Sequence, residues 1–136
     1  MSASSRAARE RSMDGASVAA LIDRYCEAWS DPDRERRRQI LLSVWANDAT
    51  YTDPRVHATT AEELLAHIER VLASRPGSKV RRTSNVDLHH NVARFGWRVV
   101  LAHGSSLPDG VDIAWLSADG RKLERIVGFF GPLAPL

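Results

Sequence analysis

The chain has 136 residues, 43% hydrophobic and 26% charged, the make-up of an ordinary soluble globular protein long enough to bury a core. Its net charge is only +2, with the basic residues gathered at Arg6, Arg9 and Arg11 and in the run Arg36-Arg37-Arg38. No aromatic residues interleave with them, which excludes a nucleic-acid stripe and leaves the run as a solvated helix face. One cysteine, Cys26, excludes an internal disulfide and a thiolate metal site, and no apolar run reaches the length of a membrane span.

The amino terminus, MSASSRAARERS, has the composition of a transit peptide or of a disordered tail. We read residues 1–14 as a tail and 15–136 as one domain. Without the apolar core of a secretory signal, a reducing cytoplasm is the expected compartment.

From Ser17 to Trp29, Val18, Leu21, Ile22, Tyr25 and Trp29 recur at helical spacing. Ser30-Asp31-Pro32 ends this helix and starts a second, expected to run to Trp45 with Ile40, Leu41, Val44 and Trp45 inward. Asn47 to Asp53 reads as a short extended segment, and Pro54 holds Asp53 extended. A third helix opens at Thr60, with Glu63 completing a capping box, and stops at Arg75-Pro76-Gly77.

After Ser78 the period changes to two. Ala93, Phe95, Trp97, Val99 and Leu101 share one face and Arg94 and Arg98 the other. A turn at His90-Asn91 sets Leu88 opposite Ala93, Val86 opposite Phe95 and Asp87 opposite Arg94. Gly104 to Gly110 reads as a loop, Val111 to Ser117 as a strand, Asp119-Gly120 as a hairpin turn and Arg121 to Phe130 as the last strand. Three helices with one short strand among them, followed by a four-stranded meander, indicate the α+β class.

Three residues stand out chemically. Asp112 shares a face with Ala114 and Leu116. There it is either buried and protonated, able to donate a hydrogen bond, or it faces solvent or pairs with Arg125. Asp53, stiffened by Pro54, is either a turn-former or a well-placed general base. Tyr25 is either a plain core aromatic or a buried phenol with a partner. Trp29, Phe95, Trp97, Val99 and one of Phe129 or Phe130 form either a filled core or the wall of a pocket for a flat, apolar ligand. We take Phe130 as the wall residue. His89 and His90 point apart on a strand or turn, and His57 and His67 show no metal spacing, so no metal site is expected.

Tyr25 within IDRYCEAW, WANDATYTDP ending in Asp53-Pro54, ARFGW, GVDIAW with Asp112, and DGRKLERIVGFFGP together resemble the nuclear-transport-factor-2-like superfamily, near its SnoaL-like and ketosteroid-isomerase members. The resemblance spans roughly residues 17 to 132, with extra residues around 30 to 38. It implies a cone-shaped α+β fold, with three N-terminal helices packed on a curved antiparallel sheet around one pocket. It further implies acid–base proton transfer on an apolar carbonyl compound, with Asp53 as base and Tyr25 and protonated Asp112 as donors to the enolate oxygen, without cofactor. The alternative it leaves is a non-catalytic ligand-binding or dimeric accessory protein. A homodimer is expected, through an outer sheet face carrying Val111, Ile113 and Trp115. Scytalone dehydratase and limonene-epoxide hydrolase share this fold. The histidine set of the first is not found, and nothing in the spacing compels Arg98, Asp112 and Arg125 to form the Asp-Arg-Asp set of the second.

Overall fold

Asp14 accepts a hydrogen bond from the Ser17 backbone N–H and so caps the first helix, α1, Gly15–Ala28. The computed structural model describes residues 14–136, and the tail expected over residues 1–14 lies outside them apart from this cap. Val18, Ile22, Tyr25 and Cys26 face inward from α1 at spacings of three and four.

The second helix, α2, Arg34–Val44, departs from expectation at both ends. Asp33 rather than Ser30 or Asp31 caps it, accepting from Arg36 N–H at 2.9 Å, so Pro32 stays in the connecting turn. Trp45 leaves the helix and opens strand β1, Trp45–Asp53. The basic run is not wholly solvated either. Arg37 is buried because its guanidinium donates to the Asp31 and Pro32 carbonyls at 3.0 and 3.2 Å and so satisfies the turn between the helices.

Strand β2, Val56–Ala58, returns antiparallel to β1 after the Pro54 turn. Helix α3, Ala61–Ser74, opens on the expected cap: Glu63 N–H donates to Thr60 Oγ1, while the Glu63 carboxylate accepts from Thr59 N–H. Strands β3, Lys79–Arg82, and β4, Asp87–His89, both pair with β5, Val92–Val100. The β4–β5 turn uses positive φ at His90 and Asn91, and its register sets Asp87 against Arg94 and Leu88 against Ala93. Val86 lies outside β4. The ladder between β4 and β5 therefore stops short of the expected Val86–Phe95 pair, and on its other side β5 pairs with strand β6, Gly110–Leu116, where Phe95 lies opposite Asp112. Strand β7, Leu123–Phe130, begins two residues later than its sequence suggests, after a turn with Gly120 at φ 73°.

The sheet order is β2-β1-β7-β6-β5-β3, with β4 beside β5. It is antiparallel except where β1 and β7 run parallel. The sheet does not close, and three helices complete an α+β arrangement among the described residues. Ile22, Leu41, Leu64, Ile68, Phe95, Leu123 and Ile126 fill the core. On the other sheet face, Val111 and Phe129 form an exposed cross-strand pair, and Trp115 lies under the Arg125 guanidinium at 4.8 Å. That stacking excludes an Asp112–Arg125 pair. No described helix is long and apolar enough to cross a membrane.

Candidate active site

The register of the sheet brings the two aspartates together. Phe95 pairs with Asp112, Asp112 with Gly128, and Thr52 with Val127, so Asp53 lies beside Gly128 in the same row. Gly128 has no side chain between the two carboxyls. A Cβ there would stand 2.7 Å from Asp112 Oδ1 and 3.7 Å from the Asp53 Cβ.

This row opens onto a cavity of about 280 Å³. Buried Tyr25, Cys26, Phe95 and Asp112 line its deep end, and Trp29, Tyr51, Asp53, His67, Trp97 and Val99 line its sides. Exposed Arg55, Pro108 and Phe130 mark its mouth. The structure thus brings all eight residues singled out from the sequence to one cavity, and Phe130, not Phe129, faces it.

Asp112 is 5% exposed. Its Oδ1 accepts from Trp97 Nε1 at 2.7 Å. Burial pushes the carboxyl up to about 7, the Trp97 hydrogen bond opposes the rise, and the charge of Asp53 adds to it. A carboxyl at this position carries its proton over a large part of the neutral range and can donate a hydrogen bond.

Tyr25 is 2% exposed, and its hydroxyl makes no hydrogen bond. Burial and the Asp112 charge hold the phenol well above its ordinary value, with Trp29 opposing. It remains a proton-bearing donor in want of an acceptor. Trp45, stacked on it at 5.9 Å, fixes the ring.

Asp53 is held from three directions. Tyr51 Oη donates to Oδ2 at 2.7 Å, and the Arg55 and Val56 backbone N–H groups donate to Oδ1 at 2.7 and 3.1 Å. His67 Nε2 stands 4.0 Å from Oδ2. Burial lowers the His67 pKa, against the pull of Asp53, and so favours its neutral form.

Tyr51 and His67 were missed in the sequence as site residues, although each left a signal. Tyr51 precedes Asp53 by two on a strand and therefore shares its face. His67 falls between Leu64 and Ile68 on the buried stripe of α3. Cys26 also lines the cavity, its thiol pushed up to about 12 chiefly by burial, which leaves it a poor nucleophile. No group of three or more His, Cys, Asp or Glu side chains among the described residues is placed to hold a metal ion.

An α+β protein with a carboxyl-bearing, mostly apolar cavity lined by its helices and its sheet is the class these features define. Among solved structures, a candidate isomerase of the SnoaL-like family from Agrobacterium tumefaciens is 29% identical to the chain. It superposes with a TM-score of 0.76 over 83% of this chain and 96% of its own. An NTF2-like protein of unknown function from Exiguobacterium follows at 21% identity and TM-score 0.65, covering 83% of this chain and 99% of its own. A protein with the ketosteroid-isomerase-like fold from Catenulispora acidiphila, in complex with trimethylamine, shares the fold at 12% identity and TM-score 0.65, over 82% and 85%. No family model matches the sequence, and no curated protein matches it significantly. The chain belongs to the nuclear-transport-factor-2-like superfamily.

Proposed function

We propose that the protein is a small-molecule enzyme that moves a proton within an apolar carbonyl compound, in the manner of an isomerase or cyclase. The observation that carries this reading is the row Asp112–Gly128–Asp53, two carboxyls in unlike surroundings on one apolar cavity. On this reading the sheet and helices form the superfamily's cone around that cavity. The SnoaL-like neighbour, itself a candidate isomerase, supports the same class.

Asp53 takes a proton from the carbon next to the carbonyl, and the electron pair of that C–H bond moves onto the carbonyl oxygen as an enolate. Tyr25 Oη and protonated Asp112 donate hydrogen bonds to that oxygen, in the part of the cavity most removed from water. The proton on Asp53 returns to another carbon of the same molecule, so the reaction needs no co-reactant. Tyr51 is a positioning residue, since its hydroxyl orients the Asp53 carboxylate. The cavity volume is near the low end of the roughly 300–1,000 Å³ usual for ligand sites, which suits a substrate of one or two rings.

The test is a panel of small β,γ-unsaturated ketones, followed by the ultraviolet absorbance of the conjugated product. The wild type is expected to convert at least one member, and Asp53→Asn to lower that rate by about 10² or more. Equal rates in the two proteins would remove Asp53 from the mechanism.

A second reading is a ligand-binding protein without turnover. The three hydrogen bonds that Asp53 accepts favour it, because they suit a turn-forming aspartate as well as a base. It expects Asp53→Asn to leave the cellular phenotype intact, and substitutions that fill the cavity to abolish it.

A further inference from the structure

We infer that Arg55 and Arg75 form an anion clamp at the mouth of the cavity, and that the molecule held there is an apolar compound bearing a carboxylate; this rests on the reading of the cavity as the substrate site. The two guanidiniums come from different elements. Arg55 follows Pro54 in the β1–β2 turn, and Arg75 is the residue on which α3 ends. Both line the cavity. Elsewhere on the described chain seven arginines meet carboxylates, among them Arg34 with Glu69, Arg82 with Asp23 and Arg98 with Asp109, and the others that do not, such as Arg37 and Arg125, lie outside the cavity lining. Neither Arg55 nor Arg75 has a carboxylate partner within ion-pair distance among the described residues. The Arg55 guanidinium lies over the Phe130 ring at 5.8 Å, which holds it at the rim.

Each has a plain structural role as well. Arg75 complements the carboxyl end of α3, and Arg55 covers Phe130. Those roles leave both sets of N–H donors without a carboxylate acceptor, on the lining of one mostly apolar cavity. Planar guanidiniums match a carboxylate through paired N–H donors, and a charged group at the mouth stays partly hydrated while the apolar body enters. The anion also holds away from Asp53 and Asp112, which line the deeper part, so the clamp fixes the direction in which the carbonyl enters. A free phosphate or phosphonate offers the same clamp an anion. The carboxylate is favoured because Asp53 and Asp112 line the same cavity, and a carboxylate charge on either repels a dianion more than a monoanion.

The experiment measures binding, not turnover. Wild-type protein is titrated with 3-benzoylpropionate and 1-naphthylacetate, with the methyl ester of each, and with phenylphosphonate, using calorimetry and tryptophan fluorescence. At least one acid is expected to bind roughly tenfold or more tighter than its ester, a preference that shrinks as salt rises. In the Arg55→Gln, Arg75→Gln double variant the preference disappears while the ester binds as before, which also shows that the variant is folded. Acid and ester binding alike in the wild type would overturn the clamp and leave the cavity as a ligand site. Tighter binding of phenylphosphonate than of either acid would overturn the carboxylate assignment, and failure of every compound to bind would overturn the inference as a whole. Loss of catalysis in Asp53→Asn bears on none of these outcomes.

Discussion

On an otherwise apolar inner face, the charged form of Asp112 is the costly one, because its carboxylate has lost water and gained only the Trp97 N–H. Its pKa rises from an ordinary 3.8 to about 7. The folded protein therefore holds a proton that the unfolded chain releases between about pH 4 and pH 7. Stability falls as pH rises through that window, by an amount on the order of 4 kcal/mol from this group, and levels off above it. Asp112→Asn keeps an oxygen for Trp97 and removes the titration. We expect the variant to unfold at higher temperature than wild type at pH 8, with the advantage shrinking or reversing at pH 5. Thermal unfolding of both proteins at the two pH values checks this. On the proposed mechanism the same proton serves as a hydrogen-bond donor to the enolate, so kcat/KM of the wild type should decline as pH rises past about 7. An unchanged difference in melting temperature between pH 5 and pH 8 would mean that Asp112 is not buried as described.

Much of this was legible at the level of elements, and what was not follows from distance along the chain. Period-two alternation put Asp112 on one face with Ala114 and Leu116, without saying whether that face was inner, and fixed the β4–β5 register through Asp87 and Arg94, because those patterns are local. The parallel pairing of β1 with β7 joins residues 75 or more positions apart, such as Thr52 and Val127, and nothing local encodes it. Without it the shared row of Asp53 and Asp112 could not be read. Short β2 and β3 were missed because three or four residues carry too little periodicity to stand out from turns. Arg37 looked solvated because its neighbours are, and its burial depends on two carbonyls freed by the preceding turn. Strand β7 supplies the remaining element-scale test. Gly128→Ala would put a methyl group against Asp112 Oδ1. The expected cost is about 1–3 kcal/mol in denaturant unfolding. A variant as stable as wild type would show that the strands leave more room between the carboxyls than 2.7 Å implies.

At the scale of the molecule, the sheet and helices do one thing for the chemistry. They hold two carboxyls and a phenol on one small cavity while keeping most of its wall apolar. Tyr25 comes from α1, Asp53 from β1 and Asp112 from β6, so the site exists only when the helix and two non-adjacent strands of the sheet are all in place. The rim is drawn from turns and element ends, where Arg55, Arg75 and Pro108 can vary without disturbing the core. This division lets one fold serve different ligands, and it explains why the fold was plainer in the sequence than the substrate.

The most direct test of the central claim is exchange of α-hydrogens with solvent deuterium, followed by proton NMR on small ketones and keto acids, with wild-type and Asp53→Asn protein. Exchange reports proton removal alone and does not require that the rest of the reaction be known. The account predicts that the wild type exchanges the α-hydrogens of compounds that bind, and that Asp53→Asn does so about 10² times more slowly or worse. Ligands that occupy the cavity with no wild-type exchange, or with equal exchange in the variant, would contradict it and leave a binding protein in its place.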